Sequence, residues 1–211
     1  MAAKKPKPSQ RRSVKKRAIP SEHLRPGESA FVLEKLLAAH PELEKEVNAE
    51  ALELAKASAF EDTAKCLADD LRGLDVDELG DRAGDHGMGY VDPVDAGCEA
   101  CQEVLDPLLE ELGRQIKLGL EADALETLKG IALRLYMVRN DQGEGCLGWA
   151  EDFPSDAAGR AVAQWQSDKS RTRAAQSLAG KNLKALVEFV AEHAPEWKGL
   201  SWVVAVKGRV S

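Results

Sequence analysis

Cys98 and Cys101 sit in the run GCEAC, a C-x-x-C spacing that serves metal ligation, dithiol exchange or simple filling of a core. On a helix, residues three apart project to one side, so both sulfurs can reach a single ion. A structural zinc takes four ligands, and the other two would have to come from His86, Cys66 or Cys146. The chain has no second C-x-x-C and no H-x₃₋₅-H to supply them as a pair. A redox dithiol wants its attacking thiol at a helix N-terminus, where free N–H groups lower its pKa. Cys98 falls about a turn and a half inside a helix that opens at Pro93, and no βαβ pattern surrounds it. Val94, Leu105, Leu108, Leu109, Leu112 and Ile116 repeat at helical spacing along the same segment, and both cysteines fall on their stripe. Two inward-facing thiols acting as small hydrophobes are therefore expected, with no metal and no cofactor. His86, Cys98 and Cys101 are the residues to which a metal would go.

A second cluster lies just upstream. The loop GDHGMGYVDP puts Asp85, His86, Tyr90 and Asp92 within eight residues, a set able to do acid–base or metal chemistry. A metal- or thiol-dependent enzyme would use Asp85, His86, Cys98 and Cys101 together. The alternative is a connecting loop whose Tyr90 packs onto the next helix. Other motifs fail on chemistry. The run DQGEGCLGW lacks the GK[ST] ending of a phosphate-binding loop, and a calcium loop from Asp141 would need oxygen ligands where Gly143 and Gly145 stand. Its glycines instead let a surface loop turn beneath Trp149 and Phe153. Neither G-x-S-x-G nor H-E-x-x-H occurs.

The elements that must position these residues read as helices. GESAFVLEKLLAAH is helical in its apolar spacing and ends at His40, before Pro41, which opens a second helix through PELEKEVNAEALELAKA and forms a short hairpin with the first. Further helices are expected near 60–72 and 75–83, from Pro93 to about Gly119, over 121–139, and near 155–168 and 178–193. Gly130 interrupts an otherwise strong helix, which points to a close backbone approach there. The tail after Trp197 fits either a last helical turn or a short extended segment held by Trp197 and Trp202. Hydrophobic residues make up 44% and aromatics 5%, so Ala and Leu supply most of the buried area. The expected class is all-α: antiparallel helical hairpins packed into an irregular bundle or short solenoid-like array.

Residues 1–20 carry Lys4, Lys5, Lys7, Arg11, Arg12, Lys15, Lys16 and Arg17 and no acid. The overall charge of −7 thus divides into +8 on this arm and −15 on the rest. Like charge, prolines and few apolar residues predict disorder over 1–25, with a single all-helical domain over 26–211. The arm could contact nucleic-acid phosphates by releasing counterions, contact an acidic partner, or fold back transiently onto the acidic body. It has no aromatic residue to stack on bases. No apolar run approaches the roughly 20 residues of a membrane helix, and the basic start is not followed by an apolar segment, so a cytoplasmic protein without membrane contact is expected.

The run GYVDPVDAGCEACQEVLDPLLEELGRQIKLGLEADALETLKGIALRLY, with LRGLDVDELGDRAG before it and HPELEKE further upstream, resembles uncharacterised bacterial all-helical proteins, some associated with SWIM zinc-finger proteins. The similarity spans about residues 30–165 and rests on helix pattern. The SWIM ligands, a C-x-C followed by C-x-H, are absent here, so the resemblance implies a helical scaffold and transfers no active site. The expected function is a non-enzymatic interaction or adaptor protein with a protein partner. The alternatives are a nucleic-acid-binding protein driven by the arm and the enzyme built on Asp85, His86, Cys98 and Cys101.

Overall fold

The structure, a computed structural model, describes residues 24–57, 59–85, 87, 89–141, 145–167 and 173–210. The basic arm, with all eight of its Lys and Arg residues, lies outside them. Among the described residues the fold is all-α apart from one pair of two-residue strands. Packing divides it into two units, Met1–Glu50 and Ala51–Ser211.

In the first unit α1 spans Pro26–Ala39. Proline at its first position gives up no useful donor, and the Glu28 carboxylate accepts from the Arg25 N–H at 3.0 Å. It stops at His40, as the following Pro41 requires, and one 3₁₀ turn, Pro41–Leu43, precedes α2 (Glu44–Leu54). None of the side chains described over 24–50 is buried.

The second unit holds the core. After α2 the chain runs through irregular turns to α3 (Leu67–Arg72) and α4 (Val76–Arg82). The helix predicted over 60–72 forms only from Leu67 because Ala64 takes a left-handed conformation, with φ 58°. The turns before it press onto α6. A Cβ on Gly130 would lie 2.7 Å from the Thr63 carbonyl oxygen and 3.1 Å from that of Phe60. That is the close approach the glycine predicts.

The loop 84–92 contains β1 (Gly84–Asp85) paired antiparallel with β2 (Tyr90–Val91). Gly84, Gly87 and Gly89 all have positive φ, which accounts for the glycines in the turn. Asp92 then caps α5 (Pro93–Lys117), its carboxylate accepting from the Val94 N–H at 2.8 Å. At the other end Leu120 N–H donates to Gln115 O and Gly119 N–H to Ile116 O, with Gly119 at φ 76°. This glycine-closed corner turns the chain straight into α6 (Glu121–Val138).

Around the α5–α6 hairpin pack α3, α7 (Phe153–Ser167) and α8 (Arg173–His193). Leu105, Leu112, Ile116, Leu128, Ile131, Leu135, Val162 and Trp165 form the fully buried centre. Gln115 carries polar links through it: Thr127 donates to the Gln115 side-chain oxygen at 2.8 Å, both residues 1% exposed, and Gln115 Nε2 donates to the Ala55 carbonyl at 3.4 Å. The tail resolves as a 3₁₀ segment, Pro195–Gly199, followed by α9 (Ser201–Val210). Trp197 and Trp202 meet edge to face at 6.0 Å, and Trp202 lies against Gly159 of α7, where a Cβ would come within 3.0 Å of its ring.

Candidate functional site

The opening turns of α5 carry the two cysteines, and the structure separates their environments. Cys101 is 0% exposed, and burial, helped by the neighbouring Cys146 and Cys98, pushes its thiol up to about 12. It is core filler, as expected. Cys98 departs from the expectation of two inward thiols: it is only half-buried and lines a surface cleft. The reason is geometric. Cys98 shares its cleft with Trp149, Asp152, Phe153, Asp156 and Arg160, so the elements that pack on α5 leave it partly open. Burial and then Asp95 raise the Cys98 pKa, while Arg160 pulls the other way. Both thiols therefore rest protonated at neutral pH, unlike an activated nucleophile.

The Asp85 cluster does not assemble with them. The Asp85 carboxylate accepts from the Gly87 N–H at 3.1 Å inside its own turn, and Asp92 is occupied as the α5 cap. Asp85 is not in the wall of the cleft that Cys98 lines. His86 lies outside the described residues. Tyr90 is 71% exposed, not packed on α5 as expected, because the two-residue ladder turns it to the solvent side. Among the described residues, no three of His, Cys, Asp and Glu stand together as a metal set.

The feature that sequence reasoning missed is Trp149. The turn Cys146–Gly148 is locked in place: Cys146 is 0% exposed, its N–H donates to Leu74 O and its Sγ to Asp75 O. Gly97 of α5 lets this turn approach, since a Cβ there would meet Cys146 O at 3.2 Å. Phe153 goes inside, 2% exposed, while Trp149 stays 50% exposed instead of covering the loop. Its side chain stands in the walls of two clefts. One, of about 400 Å³, lies between Val94 and Cys98 of α5 and Asp152, Asp156 and Arg160 at the start of α7. The other, of about 360 Å³, is bounded by Asp77, Leu79, Gly80 and Ala83 beside α4 and by Pro93. The signal available in the sequence was WAEDF, an aromatic followed by acids in a glycine-rich loop.

In the first unit several large apolar side chains are exposed among the charged ones. Phe31 is 55% exposed, Leu36 48%, and Val32, Leu33 and Leu43 about two-fifths. Lys35 lies over the Phe31 ring, 4.5 Å from its centroid. Among the described residues no helix is long and apolar enough to cross a membrane. No family model, no curated protein and no solved structure matches this chain.

Proposed function

We propose that this chain is a non-enzymatic helical interaction protein, an adaptor whose first unit offers an apolar helix face to a protein partner. The observation that supports it is the exposure of Phe31, Val32, Leu33 and Leu36 on one 14-residue helix, with none of the side chains described over 24–50 buried. Contiguous exposed apolar side chains of this size mark association surfaces, whereas single exposed residues do not. An amphipathic helix presents such a face to a groove through residues one turn apart, as Val32 and Leu36 are. The test is affinity capture with the full chain and with Phe31→Glu/Leu36→Glu. A partner retained by the first and lost by the second supports the reading; identical retention overturns it.

A second reading rests on the charge division, +8 over residues 1–20 against −15 elsewhere. The arm then holds nucleic acid or an acidic partner through phosphates or carboxylates, with an affinity that falls steeply with salt and reads no sequence. Deleting residues 1–20 abolishes salt-sensitive retention on DNA or RNA if this holds. Unchanged retention rejects it.

A further inference from the structure

We propose that the paired clefts around Trp149 dock a basic peptide segment of a partner protein. In this arrangement a Lys or Arg head enters between the indole and the acidic start of α7, and an apolar neighbour fills the second cleft. This deepens the interaction reading and rests on it, but uses a different surface.

Charge complementarity fixes the head. Glu151, Asp152 and Asp156 line the first cleft against one cation, Arg160. Among the described residues none of the three carboxylates makes an ion pair. Arg160 is already engaged: it donates to Gln102 at 2.9 Å and lies 5.6 Å from the Phe153 ring centroid. At the cleft wall burial and then Asp95 raise the Cys98 pKa, Arg160 opposes the rise, and Asp156 and Asp152 add to it. An exposed indole beside unneutralised carboxylates attracts a cation twice, through the ring quadrupole and through Coulomb attraction. A phosphate or carboxylate ligand would be repelled by the same groups.

The second cleft decides between a peptide and a free amine. Its walls are Leu79, Gly80, Ala83 and Pro93 with Asp77 at the edge, and it shares Trp149 with the first. A small amine fills one cleft and leaves the other empty. In an extended peptide, alternate side chains fall on one side roughly 7 Å apart, so a basic and an apolar side chain can straddle the indole.

The experiment titrates the full ¹⁵N-labelled chain with the acetylated, amidated peptide Ala-Lys-Ala-Leu-Ala, with its Glu-for-Lys and Ala-for-Leu counterparts, and with butylamine. The Trp149 indole N–H resonance, identified by its loss in Trp149→Ala, should shift saturably with the Lys peptide and not with the Glu peptide. Weakening of about fivefold is expected in Asp152→Asn/Asp156→Asn, read on the same indole. Both aspartates are exposed, so this variant keeps the fold even where Trp149→Ala does not. No saturable shift, or an equal response to the Glu peptide, overturns the proposal. Butylamine or the Ala-for-Leu peptide binding as tightly as the Lys peptide also overturns it, by removing the second cleft from recognition. Phe31→Glu/Leu36→Glu leaves this titration unchanged, so the adaptor reading and the cleft can fail separately.

Discussion

At the scale of single residues, Gly130 sets two effects of known size against each other. Helix propensity alone would make Gly130→Ala stabilising by about 1 kcal/mol. The new Cβ, however, would sit 2.7 Å from a backbone oxygen, which cannot rotate aside, and overpacking of that kind costs about 1–3 kcal/mol. A net loss near the upper end of that difference, about 2 kcal/mol, is expected in a urea midpoint measurement. The thiols make a second test. In the folded chain a thiol reagent at pH 8 should label exposed Cys66 first, Cys98 more slowly, and buried Cys101 and Cys146 only on unfolding, as peptide mapping would show. Because folding raises the Cys101 pKa to about 12, the unfolded chain loses that proton first as pH rises. Stability is thus complete below about pH 9 and declines toward pH 12, a trend that Cys101→Ala should flatten. The inward position of Cys101 was legible from its spacing. Cys98 was not, because helical period assigns a face but does not show where the covering helix ends.

At the scale of elements, the buried Gln115–Thr127 bond pins α5 to α6. Thr127→Val leaves the Gln115 oxygen buried without this donor and should cost about 1–3 kcal/mol by urea denaturation. Replacing both partners, as Gln115→Leu/Thr127→Val, removes the orphaned side-chain oxygen but also takes the Gln115 Nε2 donor from the buried Ala55 carbonyl 3.4 Å away, so the double variant should recover less than half of the loss. Helices with strong punctuation were readable: the Pro93 start of α5 and the Gly119 corner lie where their residues placed them, while Pro41 ends α1 but opens a 3₁₀ turn, with α2 beginning only at Glu44. The stretch 60–66 was not, because its apolar spacing is helical while docking on Gly130 imposes turns. Nor was the 84–91 hairpin, whose two-residue strands are too short for any alternation to register. The tail was ambiguous because two tryptophans anchor a strand and a helix equally well; the contact with Gly159 selects the helix.

At the scale of the whole molecule, the two units differ in kind: one has a continuous apolar interior, the other no buried side chain among those described over 24–50. That contrast was hidden in the sequence, where Phe31, Val32 and Leu36 carry the same helical rhythm as genuine core residues. Rhythm reports amphipathicity and is silent on whether a partner lies within the same chain. The distribution of chromophores makes the contrast measurable. All four tryptophans and both tyrosines lie beyond residue 89, and Trp165, Trp197 and Trp202 gather around α7 and α9. Emission-monitored heating is therefore blind to the first fifty residues, whereas far-ultraviolet ellipticity registers their helices. The ellipticity trace should begin to fall at a lower temperature than the emission trace, and Phe31→Glu/Leu36→Glu should move only the earlier phase.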